Sequence, residues 1–130
     1  MDKYIMRRIK IDGINRKIRV CVLINPNKRL VTAYIEGIQD LLYNYFDSGN
    51  ELLTLKDQYL CVAKCHELDV FDEDYGVNLA MNRVKVKLLK DIEKKVKNYL
   101  DYKKSVIKKW KFVNLNISLQ RLSVEGALNE

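Results

Sequence analysis

Hydrophobic and polar residues alternate with period two through much of the first third of the chain. Lys17–Ile24 sets Lys17 and Arg19 against Ile18, Val20 and Val22, and Leu30–Glu36 returns after a turn. Both predict strands with one buried face. Tyr4–Ile11 shows a mixed alternation, and Asp12-Gly13 between Ile11 and Ile14 predicts a two-residue type I′ hairpin turn. The clearest turn is Asn25-Pro26-Asn27-Lys28, where proline pre-sets the second turn position. Together these predict a hairpin of Arg16–Ile24 with Leu30–Glu36, ended by Gly37.

The period then lengthens. Ile38, Leu41, Leu42, Tyr45 and Phe46 recur at helical spacing, predicting a short helix Ile38–Phe46 stopped by Asp47-Ser48-Gly49-Asn50. Gln58–Cys65 reads as a short buried strand, and the acidic loop from His66 to Asp74 follows it. Asp69 or Asp72 can cap a helix there, with Glu73 and Asp74 placed against its positive dipole end. From that cap, Val77, Ala80, Met81, Val84, Leu88, Ile92, Val96 and Tyr99 or Leu100 keep one apolar stripe. It continues through Val106, Ile107, Trp110 and Val113, with a break predicted near Ser105. Leu115, Ile117 and Leu119 alternate with Asn116, Ser118 and Gln120 and predict a last strand, and Gly126–Glu130 is expected to fray.

The predicted fold is α+β, an antiparallel sheet of about four strands with one short helix and one long basic C-terminal helix. It forms a single domain over 1–130: 1–70 mainly β, 71–113 the long helix, and 114–130 a tail. A helix of that length exceeds what so small a globule buries, so its far half is expected to pair with another chain in a homo-oligomer.

Composition adds compartment and charge. The 130 residues are 48% hydrophobic, enough for one core. No apolar run approaches the ~18–20 residues of a membrane span, so no membrane partner is expected. Met1–Arg8 lacks the apolar run and cleavage site of a secretory signal. Cys21, Cys61 and Cys65, an odd number in apolar runs, read as reduced core thiols of a cytosolic protein. The net charge of +7 is strongly segregated. Residues 1–30 carry nine Lys/Arg against two acids, 31–81 two against ten, and 82–112 twelve against three. Such polarity suits an anionic ligand or head-to-tail self-association.

Catalysis finds little support. His66 is the single histidine, and its neighbour Cys65 would point to the opposite face of a strand, the wrong geometry for a nucleophile–base pair. Cys61, Cys65 and His66 with Cys21 fall short of a convincing zinc set. The acidic loop lacks calcium-loop spacing, and the five glycines are scattered singly rather than in a phosphate loop. No catalytic residue, metal or cofactor is expected, and the chain reads as a non-enzymatic binder.

The feature strong enough to argue from is the basic helix. Arg83, Lys87, Lys90, Lys94 and Lys97 recur at three and four residues beside the apolar stripe, and Asn78 and Asn82 extend the line. Such a row can neutralise phosphates while Arg83 and the amides read a base or ribose edge. It equally describes lysines solvating an exposed helix. With Phe71 and Tyr75 for base stacking, the candidate ligand set is Phe71, Tyr75, Asn78, Asn82, Arg83, Lys87 and Lys90.

The stretch from Ala63 to Arg83 fits the pattern A-K-C-x-x-x-D-x-F-D-x-x-x-G-x-x-L-A-x-x-R. It resembles small phage and prophage proteins of Firmicutes, some of them similar to the first family of Thoeris anti-defence proteins. That resemblance implies an α+β oligomer in the host cytoplasm that sequesters a cyclic or glyco-cyclic nucleotide immune signal without cleaving it. The alternatives are a nucleic-acid-binding phage protein using the basic helix, and an inhibitor docking its acidic region onto a host defence protein.

Overall fold

The computed structural model describes residues 2–14, 16–42 and 50–129. The chain divides into two compact units, Met1–Lys95 and Val96–Glu130. The fold is α+β: four antiparallel strands, β1 (Lys3–Lys10), β2 (Lys17–Asn25), β3 (Leu30–Glu36) and β4 (Gln58–Lys64), then one long helix, α1 (Glu73–Leu128). A 3₁₀ turn, Glu51–Leu53, lies between β3 and β4. The sheet order is β1-β2-β3-β4, so each strand pairs with its sequence neighbour.

Alternation sets the two faces of the sheet. Ile18, Val20, Val22 and Ile24 of β2, Val31, Ala33 and Ile35 of β3, and Tyr59 and Ala63 of β4 are buried on one side. The first unit's part of α1 lies over that side. Val77, Ala80, Val84 and Leu88 are buried, and Gly76 comes so near β3 that an added Cβ would stand 2.8 Å from Val31 Cγ2. Ile38, Leu41, Leu42, Leu53 and Leu55 complete the same core. Asp72 caps α1, its Oδ1 accepting from the Tyr75 N–H at 3.2 Å, and Glu73 and Asp74 fill the first turn.

The β2–β3 hairpin forms as its pattern predicts. Asn25 pairs with Leu30, the Arg29 N–H donates to Pro26 O at 3.2 Å, and Asn25 Oδ1 accepts from the Lys28 N–H at 3.0 Å. Arg29 takes a left-handed φ of 56° to close the loop.

Several expectations are corrected. The connection after β1 is not a two-residue type I′ turn: pairing ends at Lys10↔Lys17, and of Asp12 and Gly13 only Gly13 has a positive φ, at 82°. A type I′ turn needs both. The longer connection lets Ile11 and Ile14 both reach the core, each 4% exposed. Gln58–Lys64 is an edge strand rather than a buried one, with Leu60 and Val62 exposed on the outer face. The three cysteines are half-buried, not core residues.

Helix α1 runs unbroken past Ser105 and through Leu115–Gln120, where the alternation predicts a strand. The apolar residues there satisfy both periods, since Leu115, Leu119 and Leu122 also recur at helical spacing. A helix closes its backbone hydrogen bonds internally, whereas an added strand would need a sheet edge. Of the predicted helix Ile38–Phe46, Leu41 and Leu42 are helical, and residues 43–46 lie outside the described residues.

Candidate functional site

The seven residues singled out in the sequence do not converge. Phe71 and Tyr75 line a cavity of about 340 Å³ walled by Lys64, Cys65, His66, Asp69, Asp72 and Leu79, all within the A-K-C…L-A stretch. Arg29 pins this loop, its Nη1 donating to Glu67 O at 2.8 Å and its Nη2 to Cys65 Sγ at 3.3 Å. His66 Nδ1 accepts from the Leu68 N–H at 3.2 Å, which makes the histidine a loop-shaping residue. Asp69 and Asp72 set two carboxylates against one lysine in the lining, which favours a base or another apolar body there more than a phosphate.

Arg83 and Lys87 are engaged elsewhere. Arg83 Nη1 donates to Val62 O at 2.9 Å and Lys87 Nζ to Leu60 O at 2.8 Å. The even-numbered residues of β4 turn their backbone groups away from β3, because the odd-numbered ones carry the ladder: the Cys65 N–H donates to Arg29 O and the Gly37 N–H to Asp57 O. The two cations therefore occupy free carbonyls of an edge strand and shield it from pairing with another chain. Asn78, Asn82 and Lys90 are exposed. One turn beyond Leu88, the Tyr59 hydroxyl donates to Asp91 and accepts from the Lys56 N–H at 3.1 Å. Burial, reinforced by that bond, pushes the Tyr59 hydroxyl above the usual phenol range.

A second group lies on the sheet face opposite the core. The register lines up Tyr4↔Leu23↔Thr32↔Val62 and Met6↔Cys21↔Tyr34↔Leu60 in adjacent rows. This is an apolar and aromatic surface, with Tyr4 61% exposed and Leu60 43% exposed. The Tyr4 and Tyr34 hydroxyls meet at 3.3 Å. Hydrogen bonding to Cys21 and to Tyr34 raises the Tyr4 hydroxyl above its ordinary range, so it stays protonated.

The next two rows are cationic. Arg8 stands directly opposite Arg19, and Lys10 opposite Lys17. Like charges in facing positions destabilise a sheet, and none of these four makes a salt bridge among the described residues. Beside them opens a depression of about 940 Å³, lined by Arg8, Arg16, Lys17 and Arg19 and also by Glu36 and Asp57. Only a trace of this group was visible in the sequence, where Lys17 and Arg19 alternate with core residues. Which cations face each other depends on the β1–β2 register, and that register rests on a turn the sequence misreports.

No protein-family model, curated protein or solved structure matches the chain. Among the described residues no helix is long and apolar enough to cross a membrane. No cluster of three or more His, Cys, Asp or Glu side chains among them is placed to hold a metal ion.

Proposed function

We propose that this chain is a non-catalytic binder of single-stranded nucleic acid, and that its binding surface is the uncovered sheet face rather than the basic row on α1. The observation that carries the reading is the two pairs of facing cations, Arg8↔Arg19 and Lys10↔Lys17, which form no salt bridge among the described residues and share the outer sheet face with exposed Tyr4, two rows from Arg8. Phosphates would relieve the repulsion, and bases would stack on the tyrosine and the apolar rows beside it. Aromatic platforms flanked by cations are how sheet surfaces hold single strands with little sequence preference. A duplex hides its bases from such a surface. The first cations of the helix row, Arg83 and Lys87, are already committed to β4.

Fluorescence anisotropy with labelled oligothymidine, oligouridine and a duplex tests this. Neutralising four or five phosphates predicts a log–log salt slope of about −3 for the single strands, with weaker binding to the duplex. No binding, or binding indifferent to salt, would sink the reading.

A second reading rests on the cavity that holds Phe71 and Tyr75, whose lining suits the base of a nucleotide rather than its phosphates. There the chain would sequester a cyclic or glyco-cyclic nucleotide signal, as the resemblance of the Ala63–Arg83 stretch implies. It predicts a rise in melting temperature with one such nucleotide, lost in Tyr75→Ala; no shift with any of them refutes it.

A further inference from the structure

The second unit, Val96–Glu130, is helical up to Leu128 and leaves Leu100, Tyr102, Ile107, Trp110, Phe112 and most later apolar side chains open to solvent. A helix so rich in uncovered apolar residues is marginal alone in water. Its apolar positions follow a heptad. Val96, Val106, Trp110, Val113, Ile117, Val124 and Ala127 fall on the a and d positions of a 3,4 repeat, as does Tyr99. The repeat is interrupted twice, at Lys103 and at Gln120.

We propose that this segment pairs with the same segment of a second copy, antiparallel, centred between Trp110 and Val113. The stripe is symmetric about that point. Reversing the second copy sets Trp110 against Val113, Val106 against Ile117, Tyr99 against Val124 and Val96 against Ala127 of the partner helix. The two interruptions then meet each other, Lys103 facing Gln120 of the second copy, so every apolar position meets an apolar one. Nothing in an unrelated partner would require that symmetry.

Charge selects the same orientation. Residues 97–111 carry six lysines against one aspartate, whereas 112–128 carry one arginine and one glutamate. A parallel pair would set lysine-dense segments side by side and place Lys103 against its own copy. An antiparallel pair lays each lysine-dense segment along a nearly neutral one. Phe112, Leu115, Leu119 and Leu122 form a second short stripe, about 120–200° round the helix from Trp110 at 100° per residue. They lie outside the paired seam and leave a surface where two such pairs can stack.

Sedimentation equilibrium of the full chain tests the pairing. The wild type is expected at twice its 15.3 kDa mass, or at four times if pairs stack. Val106→Lys and Ile117→Glu, measured separately, should each fall to the monomer, with the sheet amide resonances unchanged. Mixing the two variants places the new lysine against the new glutamate only in the antiparallel register. The mixture should therefore associate roughly tenfold or more tightly than either variant alone. A monomeric or trimeric wild type, single variants that still pair, or a mixture no tighter than its components would each overturn the proposal.

Discussion

Gly76 is the point where α1 and the sheet come closest, and its replacement can be worked through. An alanine Cβ would stand 2.8 Å from Val31 Cγ2, closer than side-chain carbons tolerate. Val31 is fully buried on β3, between β2 and β4, and its β-branched side chain has few rotamers to escape into. Overpacking of this kind costs about 1–3 kcal/mol. Against it stands the helix-propensity gain of Gly→Ala, at most about 1 kcal/mol and smaller in a first turn. Gly76→Ala should thus destabilise the first unit by about 1–2 kcal/mol. Gly126, where an added Cβ would meet nothing within 4 Å, is the matched control: Gly126→Ala should be neutral or slightly helix-stabilising. Urea titration followed at the β2 and β3 amide resonances reports the first unit alone. A rise in stability for Gly76→Ala would refute the close packing of helix on sheet, and with it the identification of the opposite face as the open one.

Other consequences follow from the same contacts. Tyr59→Phe leaves Asp91 without its donor and should cost about 1.5–3 kcal/mol in urea unfolding. The folded Tyr59 hydroxyl titrates above its unfolded value, so the stability it contributes is complete below the ordinary phenol pKa near 10 and is lost as pH rises through the folded value. Unfolding free energy should therefore begin to fall near pH 10, and less steeply in Tyr59→Phe. Arg83→Ala with Lys87→Ala uncovers the β4 carbonyls; light scattering during slow heating should show earlier aggregation than in Lys94→Ala. Asp72→Ala removes the α1 cap and should lower stability by about 1 kcal/mol in the same urea titration.

Local chemistry made most of the fold legible. Period-two alternation located β2, the proline and asparagines of the turn after it located the return as β3, and the carboxylates before Val77 located the start of α1. The failures lie where tertiary context overrides a local pattern. Asp12-Gly13 looks like a hairpin tip, but burial of Ile11 and Ile14 lengthens the connection. Leu115–Gln120 fits either period, and only the helix satisfies its own backbone. The candidate site was less legible. A basic row on one helix face says nothing of what its side chains reach, and Arg83 and Lys87 reach strand carbonyls. The facing cations of β1 and β2, eleven residues apart in the case of Arg8 and Arg19, become neighbours only once the register is known.

The central claim is that the uncovered sheet face binds single strands. Amide chemical-shift mapping during titration with a short oligothymidine tests it most directly. The account predicts saturable shifts at Tyr4, Met6, Arg8, Lys17, Arg19, Cys21 and Tyr34, weakened in Arg8→Gln with Arg19→Gln, a variant that should fold at least as stably as the parent because two facing charges are gone. Shifts confined to the exposed cations of α1 or to the cavity around Phe71 and Tyr75, or no shifts at all, would contradict it.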